Sequence, residues 1–598
     1  MQNTWDLDSL LNGKSIEDLF NEYVQEQTKI TELYKTFLAS ESNFINFLQA
    51  MEDFKCLSNR LINYLTNNYQ EDLANPVWNA WLQKLNLQNL EFNKVFSNYD
   101  NLVIKNKEKI KTYLLNPTIS EYKTEFERIF RYEPHLLTDK EEMLLSQISS
   151  YNGGIDDVYS TLTDGDLKFS PANDQNSNTI EIKTQADVFK NLKSHDEQLR
   201  KTSWYSFHLA FYNIRNTLTK SLYYNYLMLN TNAKLRKFDD YITSTAFSDE
   251  VSKSFIANIY KHIKEFQPLY SKYYSLRKKY LQKLLNKNEL MPWDMSLELS
   301  HSMRHFSIDE VKQIALDALS ILGEEYKNLV LKAYNERWIS FLPKENKQTG
   351  AYSIGGTKGL NKYFISMNYD STIQSIFTLV HELGHSINSY YFGQAQKIYQ
   401  DTAIFYAEIA SITNEMFLNH YLLKKYDNDK EMKIMILDEM IGGFFNTTSR
   451  QIVFSNFEWI ANEWVNTGQP FTYEAIAKTY FNLSKEYLEV KKDYQKFCDG
   501  PEKYSLITPL RVSHFYVGNF YVYKYCIGQI AAIIISDEII NNCKNAKEKL
   551  FTFLKSGNSL DPLNTIKLLG IDFNSNEPFI KAKSILSSWI NELEKVLE

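Results

Sequence analysis

Chain-breaking residues are rare in this sequence: 19 glycines and 12 prolines in 598 residues. Ordinary globular chains use about 7% glycine and 5% proline; here both fall below half of that. So few turn-formers favour long helices over hairpins. Collagen-like, mucin-like and many-bladed β architectures are excluded. Hydrophobic residues make 43% and charged residues 23%, a soluble globular balance. At roughly 150 residues per domain the length allows about four domains and an ample core.

The charge balance is 66 − 73 = −7, so no general basic footprint calls for nucleic acid. Four cysteines (Cys56, Cys498, Cys526, Cys543) lie far apart without a CxxC pair. They suit a reducing compartment. The first twenty residues lack a basic and then apolar leader pattern. The longest apolar run, Ile527–Ile535, is too short to span a bilayer. The expectation is a cytoplasmic protein with no membrane association.

Residues 1–150 read as successive amphipathic helices, broken once at Asn116-Pro117. Interruptions at Asn152-Gly153-Gly154 and Asp164-Gly165-Asp166 precede a polar stretch. Runs at Leu167–Phe169 and Thr179–Ile182 flank it and read as a hairpin. A boundary near residue 190 would divide an N-terminal helical region, 1–190, from a catalytic region, 191–598. A surface loop within one continuous domain is the alternative. Trp338–Leu342, Gly350–Ile354 and Tyr363–Asn368 read as a small sheet, after which helices dominate. Gly355-Gly356 reads as a turn without P-loop spacing.

Residues 381–385 are His-Glu-Leu-Gly-His, behind the apolar run 376–380. Histidines at i and i+4 lie on one helix face, one turn apart, and both imidazoles reach one metal ion. Glu382 points beside that metal, where it can take a proton from a metal-bound water. With ten histidines in the chain, a chance pair with this glutamate is on the order of one in a hundred. His301-Ser-Met-Arg-His305 has the spacing but no glutamate, and reads as surface or structural. A catalytic zinc usually takes three protein ligands. Position 388 is Asn and position 391 is Tyr, so the third ligand is not the histidine of HExxHxxGxxH. Glu408, on an otherwise apolar helix with a polar face at 408, 411 and 415, needs a partner and is the best candidate; Asp401 is the rival. Glu415, two turns on, either orients a ligand histidine or is structural.

Phe377–Ser386 followed by Tyr406-Ala407-Glu408 resembles the M3 family of zinc metallopeptidases, most closely its bacterial oligoendopeptidase F branch. Thr4–Leu7, Gly350–Ser353, Ile365–Tyr369, Arg511–Tyr516 and Phe520–Tyr525 resemble further stretches of that branch, so the likeness covers nearly the whole chain. A histidine usual after HELGHS is replaced here by Asn388, which is not among the ligands.

The resemblance implies a mainly α, two-lobed gluzincin fold. It implies a small β-sheet beside the active site, a deep substrate channel and one zinc ion per chain. The implied activity is endopeptidase cleavage of short oligopeptides, with metal ligands His381, His385 and Glu408 and base Glu382. By resemblance the oxyanion donors are His514 and Tyr523, with Tyr516 and Tyr521 as competitors. Gly350, Ala351 and Tyr352 would pair with an extended peptide by β-augmentation; a buried hairpin is the alternative. Cys526 reads as a small apolar filler. The rival activities are a metallocarboxypeptidase of related fold, for which Arg511 is a possible carboxylate anchor, and a silent peptide-binding protein.

Overall fold

In a computed structural model of the chain, residues 3–148, 154–300 and 304–598 are described. Part of the expected break at 152–154 and the first half of the His301/His305 pair lie outside them. The chain is mostly helical, with two small sheets. It forms two compact units. One comprises Met1–Leu145, Met303–Tyr421 and Ala531–Asp572; the other comprises Ser146–Ser302, Leu422–Ile530 and Phe573–Glu598.

In the first unit, α1 (Ile16–Tyr34) and α2 (Glu41–Glu71) start at Ser15 and Ser40. Each serine hydroxyl accepts a backbone N–H three residues on, filling donors a helix start leaves open. The 31 residues of α2 contain no glycine or proline. Its Phe44, Phe47, Phe54, Leu57, Leu61 and Leu65 recur at helical spacing and are buried. They share one core with Leu360, Phe364, Ile398 and Tyr399 from far along the chain.

The expected sheet is present in the same unit. Strands β3 (Ile339–Ser340), β4 (Tyr352–Ser353) and β5 (Ile365–Ser366) lie in the order β3-β5-β4, with β4 antiparallel to β5 at an edge. Each strand is two residues long. Lys347, buried behind them, donates to the carbonyls of Ser340, Leu342 and Met367.

In the second unit, α3 (Glu197–Asn213), α4 (Arg215–Leu235) and α7 (Ser449–Thr467) carry much of the buried surface. Arg200 and Asp294 form a wholly buried ion pair at 2.6 Å. The expected hairpin shifts: β1 is Ala172–Asn173, not 167–169, and pairs with β2, Thr179–Ile180. The Asp174 carboxylate accepts the N–H groups of Asn176 and Asn178. That bonding fixes the turn after residue 173 and moves the first strand down the chain.

Candidate active site

The HELGH run lies in α5 (Gln374–Ala395). Ile376, Leu379, Val380, Leu383 and Ile387 bury its apolar face completely. Asp370 and Ser375 exchange hydrogen bonds at its start. Glu408 is the first residue of α6 (Glu408–Lys425). The two helices touch at Gly384, where an added Cβ would stand 2.5 Å from Ser411 Cα and 2.8 Å from Ser411 N. Only a residue without a side chain permits that approach. Asn414 fastens the crossing by donating to the carbonyl of Val380 at 3.1 Å, and Tyr326 donates to Asn414.

This crossing sets three donor atoms together. His381 Nε2 and His385 Nε2 are 3.3 Å apart, and Glu408 Oε2 is 3.4 Å from each. His381 Nδ1 faces Glu415 Oε1 at 2.5 Å. A proton on Nδ1 serves that bond, so Nε2, once it gives up its own proton, turns a lone pair toward the other two donors. Lone pairs of two imidazoles and a carboxylate converging on one point suit a cation, and the set matches a two-His, one-Glu zinc site. Asp401, the rival ligand, is exposed and not in this cluster. His305 is exposed and pairs with Ser371.

The electrostatics are those of a negative pocket. Burial opposes charge on His381, but Glu415, Glu408 and Glu382 outweigh it and hold its pKa at about 9. Burial also acts to raise Glu408, yet His385, His381 and the Ser411 hydroxyl draw it down to about 2. Ser411 Oγ donates to Glu408 Oε2 at 2.9 Å, which explains the third member of the polar stripe. Glu382 is 7% exposed, and burial pushes its acid up.

Glu382 also faces the sheet. Ile354 N–H bonds inward to Phe364, so the alternation of the strand turns the bonding groups of Ser353 and Ala351 toward the free edge of β4. The Ser353 backbone acts to lower the Glu382 acid against burial, and Ser353 Oγ lies 2.8 Å from Ser386 Oγ of α5. The sequence runs Gly350–Ser353 and Phe377–Ser386 contain these two serines, without assigning a role to either. Gly350 takes a left-handed conformation (φ +85°) and Tyr352 donates to Asn67.

The remaining expected residues belong to the second unit. His514 is partly exposed; burial and the nearby Arg450 lower its pKa. Its ring packs on Tyr521 and Tyr525, whose hydroxyls are 3.2 Å apart. Tyr523, the first residue of α8 (Tyr523–Ile540), is fully buried and donates to Asp249 at 2.5 Å. Tyr516 is buried, stacks on Tyr159 and donates to the carbonyls of Leu218 and Leu510. Arg511 lies over the Phe207 ring, and Cys526 is wholly buried.

The sequence profile of Peptidase family M3 matches residues 191–585, and that of Oligopeptidase F matches 105–169. This chain belongs to Peptidase family M3. An oligoendopeptidase F homolog of Mycoplasma pneumoniae is 36% identical over 98% of this chain and 97% of its own. Oligopeptidase PepF of Bacillus subtilis is 31% identical over 82% of this chain and 71% of its own. The solved oligoendopeptidase-F of Enterococcus faecium, 23% identical, shares the fold with a TM-score of 0.73 over 97% of this chain and 99% of its own. Membership of the M3 family makes the chain a metalloendopeptidase that acts on peptides. Among the described residues no helix is long and apolar enough to cross a membrane.

Proposed function

We propose that this M3 peptidase is a zinc-dependent oligoendopeptidase that cuts internal bonds of short peptides in the cytoplasm. The observation carrying the proposal is the convergence of His381, His385 and Glu408 with Glu382 beside them. A zinc ion held by those three side chains would supply Lewis acidity to a bound water and to a peptide carbonyl. Glu415 fixes the ring of His381, and Ser411 fixes the carboxylate of Glu408. Glu382, raised by burial, accepts the proton of the attacking water and passes it to the leaving amine.

The free edge of β4 supports main-chain pairing with an extended substrate through Ala351 and its neighbours. Such pairing tolerates many side chains. His514 is proposed as a donor to the tetrahedral oxyanion. Burial of the Tyr523 hydroxyl against Asp249 weighs against its expected part in this, as the backbone bonds of Tyr516 weigh against that residue. The partly exposed pair Tyr521 and Tyr525 fits the donor role better. The family likeness supports a channel that admits short peptides. Four free cysteines agree with a reducing location.

The test is a quenched peptide blocked at both ends, given to wild type with and without a chelator and to Glu382→Gln. Cleavage by wild type alone is expected. The variant should keep its metal and lose about 10²- to 10⁴-fold in kcat. Uncut blocked peptide, with free peptide trimmed from its C-terminus, would establish the carboxypeptidase reading instead. Full activity in Glu382→Gln would remove the proposed base.

A further inference from the structure

Phe520 takes a left-handed backbone conformation, φ +54°, which bulky residues rarely adopt. It stands between His514 and the Tyr521–Tyr525 pair, so whatever holds it sets where those hydroxyls lie. Its N–H donates to Glu458 Oε1 at 3.0 Å. The rest of the turn is fastened as well. Asn225 donates to the carbonyl of Phe515 and to Asn519 Oδ1, and Tyr241 donates to the carbonyl of Asn519.

Glu458, on α7, is the unusual member of this set. It is completely buried. Among the described residues no lysine, arginine or histidine pairs with it, and burial pushes its acid well above the usual carboxylate range. Its Oε2 and the hydroxyl of Tyr226, which feel each other electrostatically, are both buried without a hydrogen-bond partner. Placing an uncompensated acid in a core is costly. Its visible return is one bond to the N–H of a strained turn.

We propose that Glu458 is a positioning residue for peptide hydrolysis, holding the left-handed turn at Phe520 so that Tyr521 and Tyr525 present their hydroxyls side by side. This rests on the reading that the 514–525 segment meets the substrate. Glu458 acts through the tyrosines, so removing it matters only while they are present.

The test measures kcat and KM on the blocked peptide for Glu458→Ala, Glu458→Gln, the pair Tyr521→Phe/Tyr525→Phe, and the pair combined with Glu458→Ala. Rates are normalised to metal content and taken well below each unfolding midpoint. Glu458→Ala should lower kcat by about ten- to a hundredfold with little change in KM, the scale expected of misplaced catalytic groups. Glu458→Gln keeps an uncharged oxygen facing Phe520 N–H and should restore most of that loss. In the double-Phe background Glu458→Ala should cost less than about threefold, because interacting residues are not additive. Should Glu458→Ala fail to accumulate, Glu458→Asp, shorter by one methylene, replaces it with the same expectation. An equal loss in both backgrounds, or a Gln variant as impaired as Ala, overturns the proposal. A fully active double-Phe variant, with Glu382→Gln inactive, overturns the reading of the segment and the proposal with it, while leaving the base untouched.

Discussion

Glu408 reaches the two histidines because it opens α6, where the chain has just turned back toward α5. Its carboxylate is the only anionic member of the donor set, and Ser411 orients it. Glu408→Ala leaves two imidazoles, too few for a stable metal site. The variant is expected to lose its metal on gel filtration, read as metal content per chain, and its activity with it; unchanged metal content would place the third ligand elsewhere. Glu415 acts at one remove. It holds His381 through Nδ1, so Glu415→Ala leaves the donors intact but frees the ring. Such partners are worth about 10- to 100-fold in metal affinity, and competition with a chromophoric chelator should show that weakening without complete loss.

The crossing of α5 and α6 depends on Gly384. A methyl group there would press on the Ser411 backbone, which cannot swing aside as a side chain could. Gly384→Ala should destabilise by about 1–3 kcal/mol, the usual range for overpacking. Chemical denaturation gives that number. The same shift moves Glu408 from the histidines, so metal affinity should fall although no ligand has changed. The sequence displayed part of this arrangement. The i, i+4 histidines and the stripe at 408, 411 and 415 are periodic, and helical period translates directly into a shared face. The meeting of the two faces is tertiary and has no local signal; Gly384 is visible as a letter, but its neighbour is 27 residues away. The sheet runs were legible from alternation, whereas their reduction to two-residue strands was not. Tyr521, Tyr523 and Tyr525 look equivalent in the sequence. Asp249, 274 residues from Tyr523, takes the hydroxyl of that one, and only the folded chain distinguishes them.

The first unit is assembled from three stretches of chain, and its N-terminal helices share their core with later parts of the chain. Leu360, Phe364, Ile398 and Tyr399 complete it. Polar bonds tie the same parts together. Asn59 and Asn63 of α2 donate to carbonyls at Lys358, Gly355 and Gly356, and Arg128 donates to the carbonyls of Asn558 and Leu560. Arg337 likewise donates to Thr4 and Trp5. A fragment of residues 1–190 would expose the apolar faces these groups cover and leave their partners unpaired. Each lost buried hydrogen bond costs about 1–3 kcal/mol when one partner stays desolvated, and a domain has only about 5–15 kcal/mol in total. The fragment is therefore expected to retain helical far-UV dichroism without a cooperative thermal transition, while the full chain melts cooperatively. A sharp, reversible melt of the fragment would instead establish an autonomous N-terminal domain ending near residue 190. Asn63→Ala in the full chain probes the same joint more gently. It strips the carbonyls of Gly355 and Gly356, beside the edge strand β4, of a donor, and should lower stability by about 1–3 kcal/mol without changing metal content.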